Sequence, residues 1–132
     1  MPLRPADGMA GEIGGLAPYV RTVADGQEVF PGVHVRIAAG HTAGHAEYVV
    51  TAGGRRLVAF GDALHSPIQI EHPEWSSAFD HDPVRSAEHR RLLVEELSRP
   101  DTIAFGIHLA DAVFGRVVRG ADGKAVWKPV DA

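Results

Sequence analysis

The chain has 132 residues, 45% of them hydrophobic and 23% charged, which is typical of one globular domain and excludes general disorder. It contains no cysteine, which excludes disulfide bonds, thiolate metal ligands and a cysteine nucleophile. The formal net charge is −4 and there is no basic stripe, so we expect no nucleic-acid partner. The eight histidines direct any metal chemistry toward nitrogen and oxygen ligands.

The glycine-rich start of the chain shows neither a helical nor a strand period. We therefore predict an arm or linker over 1–27 and one folded unit over 28–132. The start carries no apolar signal segment, and no apolar stretch is long enough to span a membrane. We expect a cytoplasmic protein with no membrane partner.

Three strands are predicted in the first half of the folded unit. Apolar and polar residues alternate over 33–37, which indicates a half-buried strand. Strands over 47–51 and 57–60 follow, joined by a two-residue hairpin turn at Gly53-Gly54. The strand over 57–60 is almost wholly apolar, so we expect it to be buried on both faces.

A long connection over 63–81 is predicted next, and its aromatic residues argue against disorder. Asp82-Pro83 predicts the start of one long helix over about 83–99, and Pro100 ends it. Three further strands are predicted over 102–105, 113–118 and 125–127. This order indicates an α/β (α+β layered) fold with a mainly antiparallel sheet.

Three residues that could bind a metal share one context. His41, Asp62 and His108 each lie where a predicted strand meets a loop, and strand ends at one edge of a sheet converge. Two imidazoles and a carboxylate suit a zinc- or iron-class ion. The ordinary alternative is a surface or capping histidine and a turn aspartate, and spacing alone leaves both interpretations open.

Two segments of the chain, GHTAGH at 40–45 and LVAFGD at 57–62, resemble the later metal-binding motifs of the metallo-β-lactamase superfamily. Residues 61–66 and 72–75 are similar to the branch that contains methyl parathion hydrolase-like and lactonase-like enzymes. The resemblance covers roughly 28–130. It implies the C-terminal half of an αββα sandwich.

Site roles follow from this resemblance residue by residue. It implies that His41 binds the first metal, that Asp62 is the catalytic carboxylate bridging both metals, and that His108 binds the second. His45 would orient the loop without binding metal. The implied cofactor is zinc, as one or two divalent ions, with iron or manganese as alternatives.

The same resemblance suggests a substrate pocket near the site. His65, on the loop leading away from the bridging carboxylate, could line it or lie at the surface. Trp75 and Phe79 could form pocket wall or core, and of these we favour core.

The first motif of this superfamily, HxHxDH, does not occur in the sequence. Three residues shared by two ions leave each ion two protein donors, whereas catalytic zinc has three and a water. One ion held by all three residues is the alternative. The resemblance implies a metal-dependent hydrolase in which metal-bound hydroxide attacks a small ester, lactone or phosphotriester, truncated here and incomplete without that motif. The competing hypothesis is a non-catalytic interaction module or single-metal-binding module.

An apolar sheet face is expected to be open, since strands 33–37 and 57–60 lack the partner sheet that the resemblance implies. Exposed apolar patches favour association. We therefore predict a homo-oligomer, or a complex with a complementary N-terminal half, besides a small-molecule substrate.

Overall fold

The computed structural model describes residues 14–109 and 112–130, which contain a seven-stranded sheet whose strands lie side by side in chain order. Each pair of neighbours is antiparallel except β4 and β5. The strands are β1 (Glu28–Phe30), β2 (Val33–Ile37), β3 (Ala46–Ala52), β4 (Arg55–Ala59), β5 (Thr102–Phe105), β6 (Phe114–Arg119) and β7 (Ala125–Pro129). The mainly antiparallel sheet predicted from the sequence is confirmed.

Both helices described in full lie in the connection between β4 and β5. They are the short α1 (Ile68–Glu71) and the long α2 (Pro83–Leu97). The side chain of Asp82 accepts a hydrogen bond from the backbone N–H of Arg85 at 3.0 Å, which caps α2 at its predicted start. A crossover of this length is what two parallel neighbouring strands require.

The two faces of the sheet carry different side chains. Alternate residues of a strand point to opposite faces, so Arg56, Val58 and Phe60 share the face that meets Glu96 of α2. Val58, Phe60 and Ala104 are fully buried there. They form one core with the inner side of α2, through Leu93, Val94 and Leu97.

The opposite face is largely apolar, although Arg116 and Lys128 lie on it, and it is exposed over much of its area except at the buried Val35. Its side chains include Ile37, Tyr48, Val118 and Val126, which are 36–45% exposed. Leu57 and Ala59 on this face are only half-buried. The prediction that strand 57–60 is buried on both faces is therefore wrong, because only the helix-covered face is sealed.

Three expectations need correction or limits. The connection over 63–81 is not a plain loop, because it contains α1 and follows a 3₁₀ turn at Gly61–Ala63. Strand β1 was not predicted, since three residues are too few to show a period. Residues 1–13 of the predicted arm lie outside the described residues, and its boundary at residue 27 stays a prediction.

Of the helices in the described part of the chain, none has the length and apolar character needed to cross a membrane.

Candidate metal centre

The ends of three strands bring the predicted metal ligands to one edge of the sheet. Strands β2, β4 and β5 run in the same direction, so their carboxyl-terminal ends lie together. Nε2 of His41 lies 3.7 Å from Oδ2 of Asp62, and Nε2 of His108 lies 2.6 Å from its Oδ1. The three residues singled out from the sequence therefore meet around one carboxylate.

His65 joins this group. Its Nε2 lies 3.8 Å from Oδ1 of Asp62, and its ring centroid lies 5.1 Å from those of both His41 and His108. One ligand atom each from His41, Asp62 and His65 lie within 4.8 Å of one another. Its side chain is half-buried, with 24% of its surface exposed, and both the pocket position and the surface position stay predictions.

Trp75 and Phe79 do not belong to the core. Their side chains are 53% and 83% exposed, so the interpretation that favoured core is wrong for both. Trp75 stacks on the ring of His72, with centroids 4.2 Å apart. Both aromatic residues lie on a segment with little regular structure, which provides no second layer to bury them.

The loop that carries His41 is fastened to the start of α2. The backbone N–H of His81 donates to the carbonyl of His41 at 3.1 Å, and that of Asp82 donates to the carbonyl of Gly40 at 2.9 Å. A Cβ at Gly40 would come within 2.7 Å of the backbone of Ser86. Only glycine allows this close approach, which fixes the position of the neighbouring histidine.

Asp80 sets the orientation of the His41 ring. Its Oδ1 lies 3.1 Å from Nδ1 of His41. An ionised carboxylate can only accept, so Nδ1 carries the proton and Nε2 presents a lone pair toward Asp62. Arg90, whose side chain is fully buried, donates to Oδ2 of Asp80 at 3.0 Å. A carboxylate that holds a histidine in this way is a usual partner of a metal ligand.

The sequence reasoning missed Asp80 because it lies 39 residues from the histidine it contacts. The signal that could have found it is weak. Asp80 precedes the helix cap by two residues, where a carboxylate is ordinarily read as a turn residue.

His45 connects two strand ends and uses both ring nitrogens. Its Nε2 accepts from the backbone N–H of Asp62 at 3.0 Å, and its Nδ1–H donates to the carbonyl of Ala38 at 3.2 Å. Gly61 has a φ of 53°, and a Cβ there would come within 2.9 Å of Nε2 of His45. This arrangement leaves His45 no lone pair for a metal, and it places the backbone of Asp62.

Charge at the site favours ionised carboxylates and a neutral His65. The hydrogen bond from His108 contributes most to holding the pKa of Asp62 below its usual value, and the other imidazoles around the carboxylate act in the same direction. Burial would raise the pKa of Asp80, but hydrogen bonds from His41 and Arg90 lower it. Burial, aided by the nearby His41, lowers the pKa of His65.

The donors present fit a divalent transition-metal ion. Imidazole nitrogens and a carboxylate oxygen are the ligands of catalytic zinc sites and of non-haem iron sites. Neither ring nitrogen of His65 hydrogen-bonds to a described residue, since Nδ1 is buried without a partner and Nε2 is 3.8 Å from Asp62. A partly buried imidazole with no polar partner is unfavourable unless something else binds it.

Comparison with known proteins identifies the family. The sequence model of the metallo-beta-lactamase superfamily matches residues 4–108. The chain belongs to this superfamily, in agreement with the sheet, the GHTAGH loop and the cluster around Asp62. No curated protein matches it.

Solved structures of the same superfamily share the fold. The dizinc quorum-quenching lactonase AidC, solved with the product N-hexanoyl-L-homoserine, has a TM-score of 0.82 and 22% identity over 95% of this chain. The hydrolase AbOPH has a TM-score of 0.74 and 24% identity over 97% of this chain. A probable metal-dependent hydrolase from Staphylococcus aureus has a TM-score of 0.68 and 19% identity over 83% of this chain.

The chain spans less than half the length of each of these structures. It covers 42% of AidC, 48% of AbOPH and 39% of the Staphylococcus aureus protein. At these identities the comparison shows the fold alone. The fold is therefore that of a metallo-β-lactamase half, as the sequence predicted.

Proposed function

We propose that this chain supplies the C-terminal part of a metal-dependent hydrolase centre that cleaves small lactones, esters or phosphotriesters. The observation that carries the proposal is the group of imidazoles around the Asp62 carboxylate, in which Asp80 fixes the ring of His41. A divalent ion bound there would polarise the substrate and lower the pKa of a bound water. The solved lactonase and hydrolase structures support this substrate class over others.

The chain's own residues have separable tasks in this proposal. Asp62 and His41 would hold the ion, and Asp80 orients the His41 ring so that its Nε2 lone pair would face it. Nε2 of His45 accepts a hydrogen bond from the backbone N–H of Asp62 and so fixes the position of that residue. In the reaction, one water molecule cleaves the C–O or P–O bond. Its hydroxyl group bonds to the carbon or phosphorus, and its remaining proton goes to the leaving oxygen.

Hydrolysis tests this proposal directly. The chain would be loaded with zinc or manganese and assayed on N-hexanoyl-homoserine lactone, p-nitrophenyl acetate and a dialkyl aryl phosphate. We expect metal-dependent cleavage of at least one substrate, and its loss in Asp62→Asn. Equal background rates for both proteins on all three substrates would reject the hydrolase and favour the non-catalytic module.

The uncovered face of the sheet supports a second proposal about partners. We propose that this face is covered in the working protein, by a second copy or by a complementary N-terminal half. The supporting observation is the row of apolar side chains there, with Tyr48 at 45% and Val126 at 44% exposure.

A further inference from the structure

We propose that a groove on the helix-covered side of the sheet is a second ligand site, which takes a small amphiphile with an alkyl chain and a carboxylate. The groove lies between α1, α2 and the hairpin of β6 and β7, and it has a volume of about 520 Å³. Ligand pockets commonly have volumes of about 300–1,000 Å³. No residue of the cluster around Asp62 lines the groove, so this site is independent of the proposed hydrolase centre.

The hairpin side of the groove lies away from the metal centre. Strand β6 runs antiparallel to β5, so the turn after Arg119 lies at the edge of the sheet opposite to the edge where β5 ends. The carboxyl end of β5 is the edge at which His41, Asp62 and His108 meet. A ligand in the groove therefore does not compete with the substrate for the metal.

The floor of the groove is apolar and sealed. Ile70, Val94 and Ala125 form it, and all three side chains are buried. Leu92 stands on the wall with 71% of its surface exposed. An alkyl chain laid along this wall would remove apolar surface of both partners from water, which is favourable in proportion to the area covered.

Most charged groups at the rim are already engaged. Nζ of Lys124 pairs with Oε1 of Glu71 at 2.9 Å, and Arg119 pairs with Glu95. Oδ1 of Asp122 accepts from the backbone N–H of Lys124 within the turn of the hairpin. These side chains join the hairpin to α1 and α2, and they leave neither a free cation nor a free anion for a ligand among themselves.

Arg91 is the cation that remains at the rim. It is exposed and forms no ion pair or side-chain hydrogen bond with a described residue, although Glu74 and Glu88 line the surface beside it. A guanidinium binds a carboxylate through two parallel hydrogen bonds. Arg91 is the neighbour of Leu92 in the chain, so one ligand can place its carboxylate on the arginine and its alkyl chain along the leucine.

One arginine also decides which anion the groove takes. A single guanidinium matches the one charge and the planar fork of a carboxylate. A phosphate group carries more charge, and the acidic side chains of Glu71 and Glu95 at the same rim would repel it. The geometry therefore favours a monocarboxylate with an apolar tail.

Binding of octanoate to the purified chain tests this site. Isothermal titration calorimetry would give the affinity and NMR amide shifts the position, with octan-1-ol and octylammonium as ligands of the same chain length. We expect one octanoate per chain, with shifts at Ile70, Leu92 and Ala125. Octanol and octylammonium should bind about 10-fold more weakly, because neither accepts the paired hydrogen bonds of a guanidinium.

Two variants separate the charge from the apolar wall. Arg91→Gln should weaken octanoate about 10-fold and leave octanol unchanged. Arg85→Gln is the matched control, because Arg85 is an exposed arginine of α2 that does not line the groove, and it should bind like the parent chain. Leu92→Asn should weaken both octanoate and octanol about 5-fold. Circular dichroism would verify that each variant is folded.

Several results would overturn the inference. They are the absence of saturable octanoate binding, amide shifts confined to the open face of the sheet, equal octanoate affinity in Arg91→Gln and Arg85→Gln, and octylammonium bound as tightly as octanoate. A fall in the solution mass of Leu92→Asn below that of the parent chain would show that a second copy fills the groove instead. None of these results bears on the hydrolase proposal, which metal-dependent turnover tests separately.

Discussion

The two faces of the sheet differ in what covers them and in what they do for the metal centre. The helix-covered face buries Val58 and Phe60 completely and continues into Arg90 of α2. Arg90 holds Asp80, and Asp80 holds His41. The open face presents apolar side chains and contributes no described hydrogen bond to the site.

This difference shows which face of the sheet is packed within the described part of the chain. The covered side is packed, hydrogen-bonded and able to orient a metal ligand by itself. The open side has apolar side chains that are exposed, which supports the proposal that another layer covers it. The helix-covered face therefore carries the core and the contacts that orient His41, and we propose association for the open face.

The largest effect is expected from Arg90→Met on the covered side. The guanidinium donates to the carbonyl of Pro73, to Asp80 and to Oγ of Ser76, all with its side chain fully buried. Its removal breaks the buried ion pair with Asp80, which keeps its contacts with His41 and with the backbone N–H of Ser77, and this costs about 3–5 kcal/mol. Chemical denaturation followed by circular dichroism measures this loss.

Arg91→Met is the matched control, since Arg91 is the next residue of α2 and is exposed. We expect it to change stability by about 0.5 kcal/mol at most. A small loss in Arg90→Met, equal to that of the control, would contradict the role given to the covered side.

A smaller effect, a loss of metal affinity, is expected from Asp80→Asn. Asparagine keeps an acceptor for Nδ1 of His41 but removes the charge that strengthens the ring as a ligand. We expect zinc affinity to fall by about 10-fold, measured by competition with a chromophoric chelator. Asp82→Asn is the control, because asparagine also caps a helix, and an equal fall there would sink this prediction.

The smallest effect on stability is expected from Tyr48→Lys on the open face. The side chain is 45% exposed, so the change should cost about 1 kcal/mol or less. It should nevertheless reduce association, because a charge is costly in an apolar contact. Light scattering should show a mass above 14.1 kDa for the parent chain and a shift toward 14.1 kDa in the variant.

Leu92→Lys provides the comparison, since Leu92 is 71% exposed on α2, away from the open face. It should leave the solution mass unchanged. A parent chain that is monomeric at all concentrations would reject a second copy as the cover and leave only the complementary N-terminal half.

Much of the fold could be predicted from local patterns. Alternation over 33–37 and the Asp82-Pro83 cap identify β2 and α2, because the period and the cap chemistry are contained in a few neighbouring residues. His41, Asp62 and His108 could be predicted to converge, since each follows a strand. These predictions needed no knowledge of distant contacts.

Other features could not be read from the sequence. The contact of Asp80 with His41 joins residues 39 positions apart, and no local signal marks it. The position of His65 depends on the turn after Asp62 and on the anchor at Gln69, which is a packing result. The exposure of Phe79 also depends on what packs over it, and an aromatic residue in a loop is equally compatible with core or surface.

The central claim is that His41 and Asp62 hold a divalent ion at this edge of the sheet, with Asp80 orienting the His41 ring. Crystals of the chain grown with zinc, with anomalous diffraction collected at the zinc edge, test it most directly. We predict a peak at about 2.0–2.2 Å from Nε2 of His41 and from an oxygen of Asp62. The absence of any peak within bonding distance of these two atoms would contradict the claim.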